Sequence, residues 1–360
     1  MIIKKLTYLF FTGACLLASV ACSKDDETKG GVEGLSNATL RVEIKAAGVK
    51  TKAYNPNDLN ELQGEANINN LAVVVFSEDG SQVLGSKWKA VQTEYSATLT
   101  DIPVKAANSR ILIVANVPEQ VINSITTFDN FQNSLVDLAS QSQTSLTMSS
   151  RVIDTDKPLI AGDNYLGYSS MGSENVNGIS SPIYLTRVPS RVDLVTVDTK
   201  FKGTKLEGYS VRLEQVSVVN RKTRAHYFSE SEWGAVETAG NQDSSPVISF
   251  NTIINDANTL ATTSYVGYVM ENTETTAPTS IRLRASLVNA NGNVIQTKLF
   301  TSAINLNGTS LGYGHNLIKR NYVYRLWITF GEDSFDPETE LAVNVQVVNW
   351  GPVDQDVVIE

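Results

Sequence analysis

Gly308-Thr309-Ser310-Leu311-Gly312 has the spacing of a serine nucleophile elbow. That pattern puts a serine on a tight strand-to-helix turn and needs an acid and then a histidine downstream. Tyr313, Gly314 and His315 follow instead, then a strand pattern. His315 is the last histidine, and no acid separates it from Ser310. The match reads as chance, and no catalytic residue is expected. His226 and His315 are the only histidines, and the only cysteines are Cys15 and Cys22. A zinc site rich in His or Cys is therefore not expected. Glu332, Asp333, Asp336, Glu338 and Glu340 lack the ligand spacing and the glycine of a calcium loop, so they read as a solvated acidic loop. There is no glycine-rich phosphate loop of the P-loop type. The expectation is a protein that is not an enzyme and holds no metal or cofactor.

The chemistry that remains is done to the chain. Lys4 and Lys5 precede an apolar run, Leu6 to Val20, and the small residues Ser19 and Ala21 stand before Cys22. This is the layout of a signal peptide over 1–21. Ser19-Val20-Ala21-Cys22 resembles a bacterial lipobox, with Ser where Leu is usual, and makes Cys22 the expected lipidation site. A plain signal peptide with an incidental cysteine is the alternative. Ser23-Lys24-Asp25-Asp26-Glu27 resembles the charged export tag of Bacteroidota surface lipoproteins, and reads equally as a solvated linker. Residues 28–37, rich in Gly and small side chains, form a tether.

Next, Leu40, Val42, Ile44 and Ala46 alternate with Arg41, Glu43 and Lys45, a half-buried strand pattern. Lys50 and Lys52 follow in a segment with Gly48 and Asn55-Pro56, where an exposed loop is expected. A trypsin-like protease is expected to cut between Lys52 and Ala53, with Lys50 as second choice. The cut removes the strand carrying Leu40, Val42 and Ile44, which is expected at the edge of its sandwich.

The elements around these sites are mostly strands: 68–76, 91–99, 109–117, 183–197 with a break at Pro189, 209–219, 261–270, 280–288, 294–302, 322–330 and 341–350. Ile122, Ile125, Phe128, Phe131, Leu135 and Leu138 recur at helical spacing after Pro118. Short strands at regular spacing with Asn/Gly/Asp turns suggest β-sandwiches. Beyond Gly351-Pro352, Val353, Gln355, Val357 and Ile359 share one face. Val353, Val357 and Ile359 match the inward face of the removable strand and are expected to act as a donor strand.

At 360 residues, 42% hydrophobic and 19% charged, the chain can bury the cores of two domains. Its net charge of -9 argues against nucleic acid as partner. Of the tryptophans, Trp88 and Trp233 are expected to be exposed, and Trp327 and Trp350 to be core.

Several stretches together resemble the type V pilins (fimbrillins) of Bacteroidales. They are the strand Asn70 to Phe76, the run Ile113 to Pro118, Leu185-Thr186-Arg187-Val188-Pro189-Ser190-Arg191-Val192, Ile318 to Leu326, and Val347-Val348-Asn349-Trp350. The resemblance spans essentially the whole chain. It implies an all-β fold of two tandem transthyretin-like Greek-key sandwiches, with a short helix in the first. The expected layout is signal peptide 1–21, lipidated tether 22–38, removable strand 39–52, sandwiches 53–189 and 190–360, and the donor tail at the end. It implies a stalk subunit of cell-surface fimbriae, anchored by lipid at the outer membrane, cleaved to open a groove and polymerised by strand exchange. The partners are other copies of the chain, tip and anchor subunits and the processing protease. The alternatives are a tip or anchor subunit of the same fimbria, or a monomeric surface lipoprotein that binds glycans.

Overall fold

A computed structural model describes residues 34–46, 62–228, 242–337 and 342–350. The described residues form an all-β fold, with two one-turn α-helices and a few 3-10 turns among them. Among the described residues no helix is long and apolar enough to cross a membrane.

The first strand system holds β1 (Asn37–Ala46), β2 (Asn67–Ser77), β3 (Val83–Glu94), β4 (Ser96–Lys105), β5 (Ser109–Ala115), β6 (Leu135–Asp137), β7 (Met148–Ser149), β8 (Ile153–Asp154), β9 (Gly162–Leu166) and β10 (Ile183–Arg187). All but β6 join one sheet of order β3-β2-β5-β7-β10-β1-β4, with β8 beside β5 and β9 beside β1. Consecutive strands β3 and β4 stand at opposite ends of that order, and the sheet curls to bring them together. Lys87 Nζ donates to Thr100 O across this gap at 2.8 Å. A Cβ on Gly85 would fall 2.0 Å from Pro103 O, so β3 needs glycine there.

The second system holds β11 (Ser190–Thr199), β12 (Ser210–Lys222), β13 (Arg224–His226), β14 (Gln242–Ser244), β15 (Ile248–Ile254), β16 (Leu260–Val269), β17 (Ser280–Val288), β18 (Val294–Ala303), β19 (Tyr322–Phe330) and β20 (Ala342–Asn349). Sheet β16-β11-β19-β20 faces sheet β14-β12-β17-β18, which has β15 beside β12. Between them lies one core that includes Leu194, Leu213, Ile281, Leu283, Leu326 and Phe330. Inward residues alternate with outward ones along β19, where Tyr324, Leu326, Ile328 and Phe330 are buried between half-buried Arg325, Trp327 and Thr329.

β13 pairs with β6 and so ties the two systems together. Ala225, Tyr227, Phe228 and Met270 complete the core of the first system, packing with Phe76, Phe128 and Phe131.

Three expectations are corrected. The period-3.6 stretch after Pro118 is two helices, α1 (Glu119–Asn123) and α2 (Phe128–Gln132), followed by strand β6. Thr127 breaks it: its backbone is extended, and its hydroxyl accepts the Asn130 N–H, starting a new helix. The apolar face is buried all the same, with Ile122, Phe128 and Phe131 inside. The strand expected over 91–99 spans a reversal, because Tyr95 takes φ 69° between β3 and β4. The removable strand is not an edge strand. β1 has β4 antiparallel on one side and β9 and β10 parallel on the other.

Candidate functional site

β1 is built to be held. Leu40, Val42, Ile44 and Ala46 are fully buried, alternating with half-buried Thr39, Arg41, Glu43 and Lys45. Its antiparallel edge pairs with β4 from Asn37↔Lys105 to Lys45↔Ser96, with a bulge between Leu40 and Val42. Its other edge is shared. β9 takes Ala38 to Val42, and β10 takes Ile44 to Ala46. Arg41 reaches both flanks, 3.3 Å from Asp101 on β4 and 3.5 Å from Asp163 on β9. Asn164 Nδ2 donates to Thr39 O at 3.2 Å. Where β9 ends, Gly167 (φ 86°) lets the chain pass Glu43 O, from which a Cβ would lie 2.6 Å. Covalently, β1 is joined to the rest of the folded chain only through residues 47–61. One cut there ends the covalent link and leaves β1 held by its pairing and burial alone. Lys50, Lys52 and Ala53 lie outside the described residues, as do Cys22 upstream and the tail residues Val353, Val357 and Ile359.

The next described residues downstream of that segment form a buried polar centre. Glu65 is fully buried. Its Oε2 accepts from Leu62 N at 2.7 Å, Arg191 Nη1 at 2.5 Å and Trp350 Nε1 at 3.2 Å, and its Oε1 accepts from the Tyr268 hydroxyl at 2.8 Å. Arg187 Nε donates to the Glu65 carbonyl at 3.0 Å. Arg191 also pairs with Asp193 at 2.8 Å. Trp350 closes the centre, stacked on Tyr268 with the Arg187 guanidinium 4.6 Å from its ring centroid. Burial works against the charge on Arg191, but Asp193 and Glu65 outweigh it and push the guanidinium pKa up. Burial first, then the Glu65 carboxylate, raises the Tyr268 phenol, which stays a hydrogen-bond donor. The first described residues after the expected cut and Trp350, the last described residue before the expected tail, thus meet at one carboxylate.

Sequence reasoning missed Glu65 and Tyr268. A signal was present: Arg187 and Arg191 interrupt a stretch otherwise fit for burial, and a buried guanidinium requires an acidic partner.

The sites with a catalytic look stand apart. Ser310 is exposed in a 3-10 turn, Gly308–Leu311, and not on a strand-to-helix elbow. His315 is buried, with Nε2 2.9 Å from the Tyr324 hydroxyl. Asp333 and Asp336 face Lys205. Among the described residues no cluster of His, Cys, Asp and Glu could hold a metal ion. Trp88 is half-buried and its indole N–H is taken by Val117 O, so it is less free than expected; Trp233 lies outside the described residues. Trp350 is core as expected, whereas Trp327 is only half-buried.

Comparisons with known proteins fit this architecture. Residues 38–187 match the family model of the major fimbrial subunit protein FimA, and residues 188–350 match that of the fimbrium tip subunit Fim1C-like C-terminal domain. The chain is 47% identical over 99% of its length to Fim1C of Parabacteroides distasonis, named as a candidate fimbrium tip subunit, and covers 100% of that protein. A crystal structure of a candidate cell adhesion protein from the same organism superposes with a TM-score of 0.79 at 49% identity, covering 88% of this chain and 98% of that one. A fimbrilin structure from Porphyromonas gingivalis shares the fold, with a TM-score of 0.63 at 17% identity over 89% and 99% of the two chains. On its whole length and in both halves, the chain belongs to the fimbrillin family of Bacteroidales fimbrial subunits.

Proposed function

We propose that this chain is a tip-type subunit of a cell-surface fimbria, joined to its neighbour by strand exchange at the site of β1. The observation that carries the reading is the placement of β1. It is buried and paired on both edges, yet joined covalently to the rest of the fold through one segment. Its loss bares the unpaired edges of β4, β9 and β10 over an apolar floor, which a strand from another chain can cover. The precursor is lipidated at Cys22, held at the outer membrane, and cut between Lys52 and Ala53. The tail residues Val353, Val357 and Ile359 repeat the alternation of Leu40, Val42 and Ile44 and form the strand this chain can offer a neighbour in turn. The near-complete likeness to a candidate tip subunit favours the tip over the stalk.

A tip subunit has to be joined on one side, a stalk subunit on both. Immunogold microscopy of fimbriae distinguishes them. Gold at one end only, kept when the chain stops at Trp350 and lost when Lys50 and Lys52 are both replaced by Ala, is the expected pattern. Gold along the whole length, lost in both variants, would make it a stalk subunit. Normal incorporation of the Lys50→Ala/Lys52→Ala chain would remove strand exchange at β1 altogether.

A further inference from the structure

We propose that the slot filled by β1 selects its incoming strand by charge: it takes one with Lys or Arg at the place of Arg41 and refuses the tail of a second copy of this chain. The inference rests on the strand exchange read above and names the chemistry of the partner. Leu40, Val42, Ile44 and Ala46 face the core, where many apolar strands could serve. The other face of β1 is the discriminating one. Arg41 Nη2 lies between two carboxylates, Asp101 on the β4 side and Asp163 on the β9 side, so one cation ties both flanks of the slot.

The local backbone builds this seat. Leu40 pairs with Ile102 and Val42 with Leu99, so Arg41 alone faces two residues, Thr100 and Asp101. A bulge of this kind re-aims a side chain. Asp101 takes φ 56°, and the Thr100 hydroxyl donates to its Oδ2 at 3.0 Å. On the other flank Arg41 pairs with Tyr165, two residues past Asp163. Lys87 also approaches the Asp101 turn, but its Nζ donates to the main-chain oxygens of Thr100 and Asp101. Loss of β1 therefore takes the ion-pair partner from both carboxylates and leaves them on either side of the opening. Arg41 Nε has no acceptor. The seat asks for a charge rather than a guanidinium fork, and a lysine can supply it.

The tail does not meet that demand. Residues 351–360 hold no Lys or Arg and carry Asp354, Asp356 and Glu360. With Val353, Gln355, Val357 and Ile359 turned to the core, the residue set between two inward neighbours is Asp354, Asp356 or Val358, whichever way the strand runs. A carboxylate there is repelled from both flanks, and a valine leaves both unpaired. Like charges facing each other across strands cost about as much as opposite ones contribute. Such a mismatch discriminates between partners as a good contact does. Asp101 and Asp163 are 66% and 47% exposed, so each pair is weak by itself. Two flanks acting on one position still give a contrast of about tenfold between Lys and Glu there. The slot favours a strand from a different subunit, as a tip joined to an unlike neighbour requires.

The test uses the full chain, cut within residues 47–61 by trypsin, which is then inhibited. Labelled peptides compete with the resident segment in moderate urea, the urea is removed, and gel filtration with fluorescence reads the fraction seated. The probes are the Asn37–Ala46 peptide unchanged, with Arg41→Lys or with Arg41→Glu, and the 351–360 peptide unchanged or with Asp356→Lys and Val358→Lys together. The unchanged and Arg41→Lys peptides should seat alike and the Arg41→Glu peptide about tenfold more weakly, while the tail should gain about tenfold from its two substitutions. These contrasts should shrink as salt rises. On the Asp101→Asn/Asp163→Asn chain they should fall to about twofold or less. The uncut variant should keep a thermal midpoint near the parent's, because both side chains are exposed and Asn tolerates the φ of Asp101. Equal seating of the unchanged and Arg41→Glu peptides, or a contrast that survives in the Asn variant, would overturn charge selection and leave strand exchange standing. If not even the unchanged peptide seats, both fall.

Discussion

Replacing Leu40 and Ile44 together by Ala tests whether β1 holds the first strand system together. Both side chains are fully buried. Each truncation to Ala leaves a cavity and costs about 2–5 kcal/mol. The two positions are four residues apart, about 13 Å along an extended strand, and effects at that distance add. The intact precursor should therefore lose about 4–10 kcal/mol. Urea unfolding followed by fluorescence reads this, with Trp88 reporting from the first core. The same free energy also governs how firmly the strand stays once residues 47–61 are cut. At about 1.4 kcal/mol per tenfold, the lower figure already weakens retention of the cut peptide by about a thousandfold. After limited trypsin digestion, gel filtration with mass spectrometry should find the peptide on the parent and free in the variant. A precursor that loses less than about 1 kcal/mol, or a peptide retained equally by both, would refute the reasoning. In that case the buried face of β1 would not be what holds it.

Three further outcomes can be checked. Lys52→Ala should move the mature N-terminus from Ala53 to the residue after Lys50, read by N-terminal sequencing; an unchanged start would place the cut elsewhere. Glu65→Ala leaves the Tyr268 hydroxyl and the Trp350 N–H without their acceptor and takes one carboxylate from Arg191, and should cost about 3–5 kcal/mol in urea unfolding; Glu65→Gln, which keeps acceptor oxygen, should cost less, and equal losses would rule out a hydrogen-bonding role for the carboxylate. The Asp79 carboxyl should titrate at about 2, because the Ser77 hydroxyl and then the Ser81 backbone N–H donate to it. Its folded value lies below the ordinary one, so its contribution to stability is complete above about pH 4 and is lost as pH falls toward 2. Carboxyl NMR against pH reads it, and Asp79→Asn removes it.

The strands were legible where side chains alternate or run apolar. β17 and β19 fall on the expected residues, and β10 and β11 part at Pro189, where the missing N–H breaks the ladder. Elements fixed by one residue's backbone were not legible. Tyr95 reverses the chain with no glycine or proline to mark it, and Thr127 splits a good helical period by capping. The burial of Leu40, Val42 and Ile44 could be read from alternation. Their place between β4 and the β9–β10 edge could not, because pairing between residues 51 to 139 positions apart leaves no local pattern. Glu65 was hidden for the same reason: Arg191 calls for an acidic partner, but the partner lies 126 residues away and nothing local says which acid it is.

The shared edge of β1 bears on the path of any replacement. β4 and β9 have no hydrogen-bonded strand partner other than β1 among the described residues. Taking β1 out whole would leave both without a ladder partner and cost the ladder bonds along both edges together. But the edge is divided near Glu43, with β9 along the first half and β10 along the second. In the proposed exchange this division would act like a closing zip with two sliders. An incoming strand could seat on β10 while the outgoing one still lay on β9, so that β4 and β9 would never both be bare. The barrier would then be set by one part of the strand at a time, with the seam at Glu43 the point from which the newcomer advances.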